Sequence, residues 1–170
     1  MVTKKLLILN QIQIQQKIDR MAYQILEDNL DQSEIIMAGI IDRGHRLAQR
    51  LKTVIESISD IKVTLMRIDF DPNSSYLQYE ADIPVTEAAN KVVILVSDVL
   101  NSGRALAYGL GVFLNLPLLK LRTVVLIDRS HRTFPVSSDY TGLELATVLK
   151  EHVDVVLSES GDGDDAVYLS

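Results

Sequence analysis

Val92-Val93-Ile94-Leu95-Val96-Ser97-Asp98-Val99-Leu100-Asn101-Ser102-Gly103-Arg104-Ala105-Leu106-Ala107-Tyr108-Gly109 is the stretch on which the reading of this chain turns. It opens with a run that is apolar at every position, the pattern of a strand buried on both faces. Asp98 follows at the carboxyl end of that strand, then a Ser102-Gly103 turn, then a helical continuation. Ligands of open α/β sheets bind at the carboxyl ends of the strands. A helix opening at Ser102-Gly103-Arg104-Ala105 presents unpaired backbone N–H groups there. Gly103 lets the main chain approach a phosphate, and the helix dipole favours an anion. Asp98 can accept hydrogen bonds from sugar hydroxyls. Taken alone, Asp98 and Ser102 read equally well as helix caps, so the rest of the chain has to decide.

On the amino-terminal side, Ile14, Ile18, Met21, Ala22, Ile25 and Leu26 recur at helical spacing and predict an amphipathic helix ending near Asn29. Ile35 to Ile40 is a second continuously apolar strand, with Gly44 marking the turn after it. Leu47, Ala48, Leu51, Val54, Ile55 and Ile58 form the next helical stripe, and Ile61 to Ile68 the next strand. Asp69 to Asp82 lacks periodicity and reads as a long loop or hairpin. Beyond the central stretch, Leu106 to Leu114 continues as helix and Thr123 to Ile127 as strand. From Phe134 onward short strands and turns surround Pro135, Gly142 and Val153 to Leu157. Strand and helix alternate, which predicts a doubly wound, mainly parallel α/β sheet in one domain spanning 1-170. Ser158 to Asp165 is an acidic, Gly-containing connection to which no chemistry is assigned.

Composition narrows the function classes. With 170 residues, 47% hydrophobic, the chain can bury a substantial core. Its apolar runs, such as Lys91 to Val96, are far too short to span a bilayer, and no cleavable leader pattern follows Lys4-Lys5. The absence of cysteine removes thiolate chemistry and agrees with a cytoplasmic location. A net charge of -6 argues against broad, nonspecific nucleic-acid binding. His45, His131 and His152 lack the spacing of a metal site.

Three segments then carry a resemblance. PVTEAANKVVILVSDVLNSGRAL (84–106), LIDRSHRTFPVSSDYTG (126–142) and GIIDRGHRLAQRL (39–51) resemble segments of the pyrimidine operon regulator and uracil phosphoribosyltransferase family, in the same order and at similar spacing. That family belongs to the type I phosphoribosyltransferases, whose signature is a hydrophobic strand, two acids, a short apolar stretch and Thr-Gly-x-Thr. The resemblance covers most of the chain. It implies the type I fold, with a small hood formed by the C-terminal part and holding the base site.

Carried over position by position, Asp98 matches the signature acid that contacts the ribose hydroxyls. Asn101, Ser102, Gly103, Arg104 and Ala105 match the phosphate loop of phosphoribosyl pyrophosphate (PRPP). Arg67 matches a catalytic arginine that precedes a flexible loop, here beginning with Asp69 and Asp71; without the resemblance it reads as a solvated strand-end arginine. Asp42, Arg43 and Gly44 fall in the pyrophosphate loop, after Ile41. Asp128, Tyr140 and Thr141 match positions facing the base, although Tyr140 also reads as a core aromatic. His131 and Arg132 match part of an RNA-binding patch, against a plain reading as a solvated pair. Asn101 stands where purine-using relatives place an acidic base, which favours a pyrimidine. Magnesium is expected to enter mainly with the substrate, and the assembly to be a homo-oligomer.

The departures are specific. Ser97 replaces the first signature acid, Ala105 replaces the final threonine, and Ile41-Asp42 replace Lys-Thr. A carboxylate at 42 disfavours a highly charged leaving group unless magnesium lies between them. Two readings therefore stand: an enzyme that transfers phosphoribosyl from PRPP to uracil, or a nucleotide-binding regulator of the same fold that is catalytically weak or inactive and binds RNA or protein. An unrelated doubly wound domain shares the alternation but not the 97–105 segment.

Overall fold

The computed structural model describes residues 4–148, 150–158 and 164–170. Strand β1 (Leu6–Leu9) leads into helix α1 (Gln11–Asp28), whose start is fixed by a reciprocal cap. Asn10 Oδ1 accepts from the Gln13 N–H and Gln13 Oε1 accepts from the Asn10 N–H, both at 2.9 Å. Its stripe Ile14, Ile18, Met21, Ala22 and Ile25 is fully buried. At its end the Asn29 amide donates to the Ile25 carbonyl at 2.7 Å.

The βαβ alternation follows as β2 (Glu34–Ile40), α2 (Ile41–Ile58), β3 (Lys62–Phe70), β4 (Tyr79–Ala81), a 3-10 turn at Val85–Ala88, β5 (Val92–Leu100), α3 (Arg104–Phe113), β6 (Lys120–Asp128) and β7 (Tyr140–Glu144). Among the described residues these strands form a sheet in the order β4-β3-β2-β5-β6-β7. All neighbours are parallel except β4, which folds back on β3 with Phe70 opposite Tyr79. Side chains of β2 and β5 alternate between two cores. Ile35, Met37, Ile94 and Val96 pack under α1 and α2, while Ile36, Ala38, Val93 and Leu95 pack under α3. Each such fully buried aliphatic side chain stabilises the fold by about 1.5–3 kcal/mol. Burial on both faces explains why the strands read as unbroken apolar runs.

Two features differ from the expectations, the start of α2 and the make-up of the hood, while the segment read as a loop or hairpin is a hairpin. Helix α2 starts at Ile41, directly on the end of β2, so Gly44 is not a turn residue but lies in the helix. The direction change falls on Ile41, whose φ of 60° is left-handed. Asp69 to Asp82 is a β3–β4 hairpin whose long tip is fastened to α3: the Tyr108 hydroxyl donates to the Ser74 carbonyl, and the Phe70 and Tyr108 rings meet edge to face at 5.8 Å. The hood is an antiparallel sheet in the order β1-β9-β8, made of β8 (Val153–Val156), β9 (Ala166–Leu169) and the amino-terminal β1. It therefore takes a strand from the beginning of the chain as well as from its C-terminal part. Of the acidic connection Ser158 to Asp165, residues 159–163 lie outside the described residues.

Arginines at successive turns of α2 fasten the hood. Arg43 pairs with Asp154 at 3.2 Å, and Arg46 donates to the Leu157 carbonyl at 2.7 Å. Arg50 grips Asp165 with two bonds of 2.6 and 3.1 Å and the Ser158 carbonyl at 2.7 Å. Burial alone would raise the Asp165 carboxyl, but the Arg50 and Ser158 hydrogen bonds and the guanidinium charge outweigh it and hold it below its ordinary value of 3.8. A depressed acid contributes stability above its unfolded pKa and loses it as the pH falls through the folded one. Arg50→Ala is therefore expected to lose about 3 kcal/mol at neutral pH. Urea unfolding should find that penalty shrinking below the ordinary carboxylate range.

Candidate active site

The carboxyl ends of β2, β5 and β6 meet beneath two helix starts, those of α2 and α3. Gly103 caps α3 with φ of 87° and has no side chain to offer, while the Ser102 hydroxyl accepts from the Arg104 N–H at 3.3 Å. The N–H groups that follow in the first turn have no intrahelical acceptors, which suits this helix start to an anion. The loop is held from behind: the Ser102 carbonyl accepts from the Thr133 and Phe134 N–H groups, both at 2.9 Å. A Cβ at Gly103 would lie 2.6 Å from Val136 Cγ2, so both the backbone conformation and the space demand glycine. The Arg104 guanidinium lies 5.3 Å from the Phe134 ring centre. Asn101 to Ala105, with Pro72 and Asn73 of the hairpin tip, enclose a cleft of about 190 Å3.

A second cavity of about 350 Å3 continues from it, since Asn101 and Ala105 line both. Its walls include Ile41, Asp42 and Arg43 from the start of α2, Ser97 and Asp98 from β5, and His152 and Val153 from the hood. Burial pushes the Asp98 carboxyl up, and the positive charge of Arg43 works against that push. Ser97 is buried, and its hydroxyl donates to the Val99 carbonyl at 3.4 Å. Gly44 lets α2 press so close to β5 that a Cβ there would sit 2.5 Å from the Val96 carbonyl oxygen. That contact sets Asp42 across the cavity from Asp98.

Arg67 reaches the same region from β3 but is engaged, with Nε 2.9 Å from Asp69 and Nη1 3.4 Å from Asp42. Its backbone N–H donates to Asp82 at 2.8 Å. Asp42 also pairs with Arg46 at 3.2 Å. Asp71, the second acid of the flexible loop, accepts from the Asn73 N–H within its own turn. Among the described residues no three His, Asp or Glu side chains converge on a metal position. Magnesium takes oxygen donors, and the Asp98 carboxylate is the one in this cavity without an arginine ion pair among the described residues.

Two of the residues expected to face the base, Tyr140 and Thr141, lie away from both cavities. Tyr140 opens β7 opposite Val124, well before the carboxyl end, and its hydroxyl donates to Asp28 at the end of α1. Burial and that bond push its pKa up. The Thr141 carbonyl accepts from Arg20 at 3.1 Å. Neither residue lines the two cavities: Tyr140 is a core aromatic, because β7 starts beside the middle of the parallel strand β6 and not at its carboxyl end. Asp128 stands at the right end of β6, but its carboxylate is bound within its own loop by Arg132 and the Ser130 N–H. Arg132 is thus not a free surface cation. His131 is not an unattached surface group either, since its ring meets Thr147.

From the hood it is His152 and Val153 that line the larger of the two cavities. His152 is held by reciprocal backbone bonds with Ser170, at 2.7 and 2.9 Å, a pairing between distant residues that leaves no local pattern. Arg129 was also missed. It is 8% exposed, donates to Asn101 Oδ1 at 2.9 Å and Thr147 Oγ1 at 3.1 Å, and also bonds the Glu151 carbonyl. It joins the cradle to the segment leading into His152. Its place after Asp128 in DRSHR was the available signal.

A helix start suited to an anion, a carboxylate two strand residues before the Asn101 loop and an adjoining cavity under a hood are the features of a phosphate-ligand site on an open α/β sheet. The phosphoribosyl transferase domain model matches residues 7–159, and the chain belongs to that family. Its relatives include the bifunctional protein PyrR of Staphylococcus aureus (strain bovine RF122 / ET3-1), 34% identical over 90% of this chain and 92% of the relative. The bifunctional protein PyrR of Fusobacterium nucleatum is 32% identical over 99% and 100%. Among solved structures, a hypoxanthine-guanine phosphoribosyltransferase of Bacillus anthracis matches with a TM-score of 0.71 at 20% identity, covering 90% of this chain and 88% of that one. The fold is that of the type I phosphoribosyltransferases.

Two outcomes follow from the geometry. A raised acid favours the fold while protonated and loses that contribution as the pH rises through its folded pKa. Asp98→Asn should therefore raise the melting temperature at pH 7 relative to the native chain, with the gain vanishing at low pH, while ribose 5-phosphate binding weakens. Gly103→Ala should lower stability by about 1–3 kcal/mol in a urea titration and weaken phosphate binding with it.

Proposed function

We propose that the chain transfers the phosphoribosyl group of PRPP to a pyrimidine base, uracil, giving the nucleoside monophosphate and pyrophosphate. The observation that carries this reading is the continuity of the Asn101–Ala105 cradle with the cavity containing Asp98. A sugar phosphate whose phosphate sits at the start of α3 extends its ribose toward Asp98. A base nitrogen then forms its bond to C1′ as the C1′–O bond to pyrophosphate breaks, and the nitrogen's proton leaves to solvent or to a nearby acceptor. Positive charge grows on the ribose during that exchange, and the Asp98 carboxylate stabilises it. The first N–H groups of α3 hold the phosphate end, and the hood residues His152 and Val153 shield the opposite wall from water. Magnesium, when bound, supplies charge neutralisation of the leaving group, with Asp98 as the oxygen donor from this chain.

The resemblance to the pyrimidine regulator family and the relatives named as bifunctional proteins support uracil as the acceptor. The same resemblance brings a homo-oligomer and a cytoplasmic location into this proposal. No described helix is long and apolar enough to cross a membrane.

A second reading, a slow or inactive nucleotide-binding regulator, is favoured by one specific observation: Arg67 is already paired with Asp69 and Asp42. RNA contact through His131 and Arg132 belongs to that reading, and both side chains would have to exchange their present partners. The experiment is an assay of pyrophosphate release and uridine monophosphate formation from PRPP, uracil and magnesium. Native turnover is expected, faster in Ser97→Asp and slower by roughly 100-fold in Asp98→Ala. Uridine monophosphate binding without turnover would transfer the assignment to the regulator. Failure of both would remove it.

A further inference from the structure

Two helices begin at this pocket, and their charge at the first turn is opposite in effect. The first turn of α3 carries no acidic residue, so apart from the Arg104 N–H, which Ser102 accepts, its N–H groups and dipole meet no carboxylate of the chain's own first turn. The first turn of α2 carries Asp42, whose carboxylate already sits against the positive end of that helix. The cations around this second end are committed as well. Arg43, the cation lining the larger cavity, is paired with Asp154; Arg46 is paired with Asp42; and Arg67 is shared between Asp69 and Asp42. Asp98 adds a second carboxyl to the same wall. One end of the pocket therefore attracts an anion strongly, and the other meets it with carboxylates and arginines whose charge is already matched.

We propose that Asp42 is a specificity determinant that fits this pocket to ligands with a single terminal phosphate. Ribose 5-phosphate and pyrimidine nucleoside monophosphates are held in preference to free pyrophosphate and to the diphosphate end of PRPP. This rests on the reading of the pocket as a sugar-phosphate site and states which of its ligands dominates. A diphosphate carries several negative charges on adjacent oxygens. Placed at the start of α2 it must displace Asp42 from Arg46 and Arg67 or share them against a like charge. A monophosphate at the α3 cradle leaves those pairs intact. An enzyme built this way retains its nucleotide product and is filled poorly by the diphosphate-bearing sugar.

The test is calorimetric titration of the native chain and of Asp42→Asn with ribose 5-phosphate, uridine monophosphate and inorganic pyrophosphate, each in chelator and in excess magnesium. Asp42 is half exposed and the substitution keeps its shape, and saturable ribose 5-phosphate binding by the variant verifies that it is folded. The native chain should bind ribose 5-phosphate at least tenfold more tightly than pyrophosphate. In Asp42→Asn, with the like charge at the start of α2 removed, that ratio should fall by roughly tenfold, or about 1.4 kcal/mol. Equal native affinities, or a ratio unmoved by the substitution, overturn the proposal. Pyrophosphate binding that requires magnesium and weakens in Asp42→Asn also overturns it, because Asp42 would then receive the metal. If neither protein binds ribose 5-phosphate or uridine monophosphate, the sugar-phosphate reading itself fails, an outcome distinct from the other two.

Discussion

The contact between Gly44 in the first turn of α2 and the Val96 carbonyl oxygen of β5 governs the geometry of everything around it. Because a side chain at 44 would sit 2.5 Å from that oxygen, only glycine allows the helix to lie against the strand at this depth. The helix must then begin directly on the end of β2, and Ile41 adopts a left-handed backbone that β-branched residues seldom tolerate. Such a conformation costs about 1–3 kcal/mol and persists where the surroundings over-determine it. Here those surroundings are the parallel pairing of β2 with β5 and the buried stripe of α2 beneath them. The result is that Asp42 and Arg43 line the same cavity as Ser97 and Asp98 instead of lying on a separate loop.

The same helix holds the hood. Arg43, Arg46 and Arg50 lie on one face at helical spacing, and each reaches a group on the segment from Asp154 to Asp165. The hood also buries Leu9, Val153, Val155, Leu157 and Val167 in the core that lies under α1 and α2, and these charged contacts add direction to that packing, so together they fix the position of His152 and Val153. Arg43 has two effects at once, since its charge also opposes the burial that raises the Asp98 carboxyl. Arg129 performs a comparable task on the other side by tying Asn101 to the residues before His152. The two ends of the pocket are thereby mechanically joined through buried guanidinium groups.

Family membership and the individual chain point to different parts of the pocket. The cradle at the start of α3 keeps the backbone features that phosphate binding needs, even with Ala105 in place of a hydroxyl residue. The start of α2 does not keep its counterpart: a carboxylate occupies the helix dipole, and the arginine from β3 is drawn to it. Electrostatic preorganisation acts on whatever charge is present in the ground state as well as the transition state. On the proposal made for Asp42, a change of one residue at this position alters which ligand the site prefers without altering the fold.

The alternation of strands and helices was legible in the sequence because burial on both faces leaves unbroken apolar runs and amphipathic helices leave a stripe, both local patterns. Gly103 and Asp98 were legible for the same reason, as neighbours on a single strand-turn-helix unit. The sequence could not reveal β1 as a hood strand, since four apolar residues acquire that identity only by pairing with β9 from the far end of the chain. Nor could it locate the wall formed by His152 and Val153, which depends on β8, the C-terminal residue and three arginines of α2 coming together. Tyr140 carried the expected residue type yet packs against Asp28, because the place where β7 starts along the sheet is fixed by its pairing with β6. Local chemistry was thus determined by the sequence itself. Which charges neutralise one another, and which remain for a ligand, was decided by tertiary structure, because ion pairs form between residues that only folding brings within a few ångströms.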